Sequence, residues 1–210
     1  MARPAHLLPG ASFWERVRSR AARRAVRRDF LLDLMPKGAE CIEVGVFDGV
    51  LSERILALTA PRKLHLVDPW RTRPDGSLFD GPAQEFDSAQ QASDSLEMQY
   101  QSVVRLLEKE IAAGKIEIHR TLSHEAAPLF ADARFDWAYL DASHYYDDVK
   151  LDLETWFPKV KVGGFITGDD YGRQGFWDHG VTRAVDEFIR KNAVEVIALR
   201  NHQYVLRKRG

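Results

Sequence analysis

Residues 41–49 read CIEVGVFDG, a mostly apolar run that leads directly into a loop with two glycines. The run predicts a β-strand over 41–44, and the apolar spacing of the residues that follow predicts a helix over 51–58. Glycines at such a strand-to-helix turn allow a sharp change of direction and a close approach between backbone and ligand. The stretch therefore predicts the first unit of a helix-covered sheet, with a ligand site at the glycine loop.

The same alternation of strands and helices continues along the chain. Further strands are predicted at 63–67, 115–119, 136–140 and 164–167, and further helices at 97–113, 149–157 and 181–189. Two last strand-like runs, 194–199 and 204–207, flank a short turn at Asn201 and His202, which predicts a hairpin. We therefore predict one α/β domain over 29–210. Its sheet is Rossmann-like and doubly wound, mostly parallel, with a terminal antiparallel β-hairpin.

The composition narrows the class of protein. The chain has 210 residues with 30 Lys and Arg against 31 Asp and Glu, and this balance argues against a dedicated nucleic-acid-binding protein. Its one cysteine, Cys41, excludes an internal disulfide framework. No apolar run approaches the roughly 18 residues of a transmembrane segment, and the N-terminus lacks an uninterrupted apolar signal sequence. We expect a cytoplasmic protein.

Basic residues are concentrated at the N-terminus. Residues 1–28 contain eight arginines and one acidic residue, Glu15, so they carry a charge of +7 and leave −8 on the rest of the chain. The apolar spacing predicts a basic helix from residue 12 to 34. We interpret this helix as solvated and amphipathic. A homodimer contact, or attraction of an anionic partner or membrane surface, remains an alternative.

Residues 69–96 interrupt the alternation, because they show no periodicity and are rich in Asp, Gly, Ser, Pro and Gln. A structureless connection of that length is uncommon in a compact domain unless it serves as a lid or a binding loop. It follows the second strand, beside the ligand crevice of an α/β sheet. We interpret it as a lid or substrate loop, with a passive insertion as the alternative.

The residues around the glycine loop indicate the ligand. Asp68 ends the second strand 23 residues after Gly45, where a carboxylate can accept both hydrogen bonds of a ribose diol. The loop lacks the further glycines that a dinucleotide pyrophosphate needs, and Glu43 suits a ligand with a positive amino group. Both features favour S-adenosylmethionine over NAD. An NAD-binding oxidoreductase and a non-enzymatic cofactor-binding module are the weaker alternatives.

Four stretches resemble those of a known family: IEVGVFDG (42–49), HLVDPW (65–70), LDASHYYDDVKLDLETWFPKVKVGGFITGDDY (140–171) and GVTRAVDEF (180–188). They are similar to class I S-adenosylmethionine-dependent methyltransferases, and among these to the metal-dependent O-methyltransferases of the macrocin type, which act on sugars. The resemblance implies methyl transfer to a hydroxyl of a small-molecule or oligosaccharide acceptor. The basic N-terminal segment and the hairpin also resemble those of mannoside O-methyltransferases. A phenolic or catechol acceptor is the alternative.

The resemblance also implies which residues bind the cofactor. The methionine part would be framed by Glu43, Gly45, Phe47, Gly49 and Ser52. The ribose would be held by Asp68, and the adenine would be lined by Ser123 and His124.

Three acidic residues follow neighbouring strands of the predicted sheet. Asp141 ends the fourth strand, and Asp169 and Asp170 end the fifth. Converging carboxylates repel one another unless a cation joins them, and an all-oxygen set suits Mg²⁺, with Mn²⁺ or Ca²⁺ as alternatives. The resemblance implies a metal site, because the three aspartates stand at the positions that metal-dependent methyltransferases use for their metal. Catechol-type enzymes, however, have Asn where Asp170 stands. Loop acids that cap helices or meet solvent are the other interpretation.

His144 lies three residues after Asp141, and catechol-type enzymes have Lys at this place. An imidazole titrates near neutral pH, so we expect a general base. A metal ligand, or a histidine held by local hydrogen bonds, is the alternative. We expect substrate contacts from the 69–96 segment and from Tyr145, Tyr146, Tyr171, Arg173, Trp177 and His179.

Overall fold

The computed structural model describes residues 28–72 and 88–210. Its helices are α1 Asp29–Leu34, α2 Val50–Thr59, α3 Ala89–Leu106, α4 Glu108–Ala112, α5 Ser123–Ala126, α6 Tyr146–Trp156 and α7 Gly180–Lys191. Its strands are β1 Glu40–Val44, β2 Lys63–Val67, β3 Ile116–His119, β4 Phe135–Leu140, β5 Val160–Gly168, β6 Val194–Arg200 and β7 Gln203–Lys208. The alternation confirms the predicted α/β class.

The seven strands form one sheet in the order β3-β2-β1-β4-β5-β7-β6. Strands β1 to β5 pair in parallel, and β7 lies antiparallel between β5 and β6. Asn201 and His202 form the hairpin turn with φ of 55° and 62°, the left-handed backbone that a two-residue hairpin requires. The predicted terminal hairpin on a mostly parallel sheet is confirmed.

Apolar residues cover both faces of this sheet, as a doubly wound fold requires. One face packs against α6 and α7 through Val149, Leu153, Trp156, Val181, Val185 and Phe188. The other face packs against α1, α2 and α3 through Leu31, Leu32, Ile55 and Val103. Within the described ranges, no helix is both long and apolar enough to cross a membrane.

The register of the parallel strands places their carboxyl ends at one edge. Val44 of β1 pairs with Val67 of β2 and with Leu140 of β4, and Leu140 pairs with Gly168 of β5. Parallel strands in register end together, so the residues that follow them share one crevice. This edge carries the candidate site.

Two predictions about helices need correction. The structureless segment predicted for 69–96 is wrong over 89–96, which belong to α3. The Ser88 hydroxyl accepts the N–H of Gln91 at 3.1 Å and so caps this helix, whose exposed polar face hides the periodicity. The helix predicted for 97–113 is two helices that meet at Leu107. Residues 73–87, the centre of the proposed lid, and residues 1–27 of the basic segment lie outside the described residues.

Candidate active site

The glycine loop lies against the end of β4. Gly45 has φ of 88°, and a side-chain Cβ there would lie 2.2 Å from the carbonyl oxygen of Asp141. Only glycine fits such a close backbone approach. Gly49, with φ of 77°, directly precedes α2. The loop and the end of β4 therefore form one continuous surface.

Asp68 holds this loop in place. Its Oδ2 accepts the backbone N–H groups of Val46 and Phe47, each at 3.0 Å, and its Oδ1 accepts that of Trp70 at 2.8 Å. A carboxylate has about four lone-pair positions, and these bonds use at least three of them. Asp68 therefore serves to hold the loop, whereas the sequence analysis expects its carboxylate to accept both hydroxyls of a ribose.

Glu43 is fully buried beneath the loop. Its Oε2 accepts the Ser52 hydroxyl at 2.6 Å, while its Oε1 has no hydrogen-bond partner among the described residues. Burial raises the pKa of this carboxyl to about 8, against the opposing effect of the Ser52 hydrogen bond. A buried acceptor without a partner is unfavourable, so this oxygen fits a ligand that brings a donor. Phe47, by contrast, is half exposed at the loop surface.

The two residues expected to line adenine differ in their surroundings. The Ser123 hydroxyl donates to Asp152 and accepts the indole N–H of Trp156 at 2.8 Å, whereas His124 is exposed. Burial raises the pKa of Asp152 to about 7. Sequence reasoning missed Asp152, although a carboxylate between the apolar positions of α6 is a usable signal.

The structure brings the three predicted acidic residues together at the ends of β4 and β5, but their side chains bind different partners. Asp170 lies next to His144, whose Nε2 is 2.6 Å from Asp170 Oδ2 and 3.8 Å from Asp141 Oδ1. Asp169 turns the other way: its Oδ1 accepts Gln203 Nε2 and the backbone N–H of Asp170. The donor atoms of Asp141, His144 and Asp170 all lie within 4.8 Å of one another. Asp169 is outside that group.

Arg28 occupies the space between Asp141 and Asp169. Its Nη2 lies 2.7 Å from Asp141 Oδ2, and its Nε donates to Asp169 Oδ2 at 3.1 Å. The guanidinium is buried and also lies 5.5 Å from the centre of the Tyr139 ring. Arg28 belongs to the basic N-terminal segment, and nothing in the neighbouring sequence marks it as a site residue.

Burial and charge act in opposite directions on these acids. Burial raises the pKa of Asp141 above its ordinary value, although Arg28 opposes this. Burial also raises the pKa of Asp170, but hydrogen bonds from His144 and Arg173 outweigh it and hold the pKa well below its ordinary value. Asp170 is therefore ionised, and it is the carboxylate that pairs with His144.

The predicted substrate residues divide into two groups. The Tyr146 hydroxyl donates to Glu187, and the Tyr171 hydroxyl donates to Asp186 at 2.8 Å, so both are tied to α7. Burial, with this hydrogen bond, raises the pKa of Tyr171 to about 12. Arg173 binds Asp170 at 2.8 Å. All three side chains are therefore bound to acidic partners in α7 or after β5.

The other group borders the site itself. The Trp177 ring lies 4.6 Å from the His144 ring, and its Nε1 is buried without a hydrogen-bond partner among the described residues. Tyr145 is exposed and packs edge-on against Phe176. His179 is exposed at the start of α7, with φ of 55°. His144 also lines a pocket, together with Asp141, Ser143, Asp152, Asp169 and Tyr204.

Comparisons with known proteins agree with this architecture. A family model described as a methyltransferase domain matches residues 42–171, from β1 to Tyr171, which directly follows Asp170. The solved structure of the O-methyltransferase NovP is similar, with 20% identity, a TM-score of 0.56 and coverage of 92% of this chain and 80% of that one. A methyltransferase from Geobacter sulfurreducens has 14% identity and a TM-score of 0.59, with 97% and 92% covered.

Aeropyrum pernix fibrillarin, solved with natively bound S-adenosylmethionine, has 10% identity and a TM-score of 0.56, with 89% of this chain and 74% of that chain covered. At these identities the likenesses show the fold. A comparison with curated proteins finds no match.

Proposed function

Because the chain belongs to the methyltransferase domain family and has the fold of class I S-adenosylmethionine-dependent methyltransferases, we propose that it methylates a hydroxyl group. The proposed donor is S-adenosylmethionine, and the proposed acceptor is a sugar or glycoside, including mannosides. His144 is the proposed general base, and a divalent cation, Mg²⁺ first, is the proposed activator.

One observation carries this proposal: the backbone of Gly45 lies against the backbone of Asp141. The loop that would hold the methyl donor therefore borders the end of β4. Asp141 directly follows this strand, and His144 lies three residues after Asp141. Holding donor and acceptor side by side is a large part of what an enzyme contributes to a displacement reaction. The contact supports a single crevice for cofactor and acceptor.

Several residues fit the cofactor. The Oε1 of Glu43, which has no partner among the described residues, suits the positive amino group of the methionine part. The Ser52 hydroxyl binds the other oxygen of the Glu43 carboxyl group, Oε2. Gly45, Phe47 and Gly49 would supply the surrounding loop, and Asp68 would reach one ribose hydroxyl while it holds that loop. Ser123 and His124 remain the proposed adenine residues. S-adenosylmethionine supplies an electrophilic methyl group on a sulfonium.

The acidic residues fit a divalent cation in part. Asp141 and Asp170 offer carboxylate oxygens close together, a set that suits Mg²⁺. Asp169 completes the three-aspartate set only if Arg28 withdraws, since the guanidinium holds its Oδ2. A bound cation would lower the pKa of an acceptor hydroxyl and fix its oxygen.

The surroundings of His144 support its proposed role as the base that removes the acceptor proton. Asp170 holds its Nε2, and the Trp177 ring lies over its imidazole, so the ring is fixed in orientation. A carboxylate paired with a histidine also stabilises the imidazolium that forms when the base takes up a proton. Asp170 is thus both a proposed metal ligand and the positioning residue for His144.

The aromatic residues at the rim fit the face of a sugar ring, and Trp177 Nε1 offers a donor for one of its hydroxyls. Tyr145 and Phe176 would extend that surface. Flat phenolic rings also stack on such groups, so a catechol is the second candidate acceptor. Tyr146, Tyr171 and Arg173 would act indirectly, by holding α7 and Asp170, and His179 would contact the acceptor from the start of α7.

The proposal is tested by methyl transfer from radiolabelled S-adenosylmethionine to a panel of methyl glycosides and catechols, with Mg²⁺ or with chelator. We expect label in a glycoside and its loss on chelation. Label in catechol alone would move the acceptor to the phenolic class. No label in any acceptor, together with no binding of S-adenosylhomocysteine, would refute the proposal.

A further inference from the structure

A cluster of two histidines and one glutamate lies on strands β2 and β3, outside the crevice described above. His65 pairs in register with Glu117, and Val67 pairs with His119, so the three side chains share one face of the sheet. Strand β3 lies at one edge of the sheet. His65 is buried, His119 is partly buried, and Glu117 is half exposed.

The donor atoms of this cluster face one another. His65 Nδ1 and His119 Nε2 are 3.1 Å apart, His119 Nε2 and Glu117 Oε1 are 3.6 Å apart, and His65 Nδ1 and Glu117 Oε2 are 3.9 Å apart. Two ligand atoms of a tetrahedral zinc ion, each about 2.1 Å from it, lie about 3.4 Å from each other. The observed separations bracket that value.

The hydrogen bonds around His65 fix which of its nitrogens faces the cluster. Its Nε2 lies 3.3 Å from Glu40 Oε1, and Glu40 is held as a carboxylate by Arg134 at 2.7 Å and Arg62 at 3.1 Å. A carboxylate only accepts, so His65 Nε2 carries the proton and Nδ1 presents its lone pair to His119. In the metal-free protein the donor between the two rings is therefore the Nε2–H of His119.

This arrangement is the one that metal-bound histidines use. A ligating imidazole commonly donates its other N–H to a carboxylate, as His65 does to Glu40. A ligating imidazole must also be unprotonated at the nitrogen that faces the metal, and the hydrogen bond to Glu40 leaves His65 Nδ1 in that state. An ion would replace the hydrogen bond between the rings, and the His119 proton would move to its other ring nitrogen.

We propose that His65, His119 and Glu117 form a metal site for a borderline cation such as Zn²⁺, with the fourth position open to solvent. Two imidazoles and one carboxylate are a known zinc donor set. The half-exposed Glu117 gives the ion a path from solvent. Lys63 pairs with Glu117 at 3.1 Å in the metal-free protein, a surface ion pair that is readily exchanged.

A metal ion at this site would link β3 to β2 close to the glycine loop. The carbonyl of His119 accepts the backbone N–H of Asp68 at 3.3 Å, and Asp68 in turn holds the loop. A bound ion would therefore stabilise the fold at this edge. This inference does not rest on the proposed methyl transfer.

The test is titration of the full chain with Co²⁺ and Zn²⁺, followed by absorption and by thermal unfolding. We expect the intense visible bands of tetrahedral Co²⁺, their displacement by Zn²⁺, and a rise in Tm with Zn²⁺. His119→Ala should lose the bands and at least tenfold in Zn²⁺ affinity. His202→Asn, which removes an exposed imidazole in the hairpin turn, should keep both.

Glu117→Ala provides a second variant, because this side chain is half exposed and its loss leaves the core unchanged. It should weaken Zn²⁺ binding and reduce the Zn²⁺-induced rise in Tm. Tetrahedral bands that survive in both His119→Ala and Glu117→Ala, or their absence from the wild type, would overturn the proposal. The Asp141 site does not confuse the result, because both variants leave it intact.

Discussion

The guanidinium of Arg28 lies 2.7 Å from the carboxylate of Asp141 and also holds Asp169. The protein thus places its own cation where the sequence predicts a metal ion. Because Asp169 spends Oδ2 on this arginine, a three-aspartate metal site and the Arg28 pair exclude each other. If the proposed divalent cation binds here, we therefore expect it to compete with Arg28 for these carboxylates.

Arg28→Met tests this competition, since it keeps length and removes charge. Without metal, we expect a loss of about 3–5 kcal/mol in the free energy of unfolding, because the aspartates lose their buried partner. Mg²⁺ should raise the Tm of the variant more than that of the wild type. Arg54→Met breaks a more exposed pair with Asp29 and is the control. Equal Mg²⁺ shifts in Arg28→Met and wild type would contradict the competition.

Gly45→Ala tests the contact between the loop and β4. A Cβ would lie 2.2 Å from the Asp141 carbonyl oxygen, so we expect loss of S-adenosylhomocysteine binding and a lower Tm. Gly114→Ala is the matched control, because Gly114 also has a positive φ but no atom lies within 4 Å of its Cβ position. The control should lose only about 1–2 kcal/mol from backbone strain and keep binding. Calorimetry and thermal unfolding measure both.

Glu43 gives a pH dependence with a defined sign. Its pKa rises from 4.5 when unfolded to about 8 when folded, so the folded ligand-free protein holds the extra proton between those values. The contribution of Glu43 therefore lowers stability as pH rises through this window. Glu43→Gln should make the decline in unfolding free energy between pH 5 and about 8 less steep. An unchanged slope would show that Glu43 is ionised in the free protein.

The same group predicts tighter cofactor binding at higher pH. Below about 8 the carboxyl must lose its proton to pair with the amino group of S-adenosylhomocysteine, so affinity should increase from pH 6 to 8. Glu43→Gln should bind about tenfold or more weakly and lose the increase. Calorimetry in two buffers of different ionisation enthalpy would detect the released proton. A pH-independent affinity in the wild type would contradict the pairing.

His144→Ala should lose methyl transfer by a factor of about 10² to 10⁴, the usual contribution of a general base, while S-adenosylhomocysteine still binds. Asp170→Asn should also slow transfer and should change the pH profile of kcat, because it removes the charge that holds the ring. Radiolabel transfer and calorimetry separate the two effects. A His144→Ala rate equal to that of the wild type would remove the base assignment.

Much of this fold could be predicted because its elements are locally encoded. The apolar runs that end at Val44, Val67 and Leu140 mark strands, and parallel pairing then sends Asp141, Asp169 and Asp170 to one edge. Side-chain partners could not be predicted. Nothing near Arg28 in the sequence indicates a contact with residues more than a hundred positions away. Helix α3 was missed in part because its first turns are polar and its cap, Ser88, lies in a polar segment.

The most direct test of the account is a calorimetric titration of the wild-type protein with S-adenosylhomocysteine, once with Mg²⁺ and once with chelator. We predict binding of one equivalent in both conditions, because the proposed cofactor site at Glu43 and the glycine loop includes none of the proposed metal ligands. Absence of binding in both conditions would contradict it.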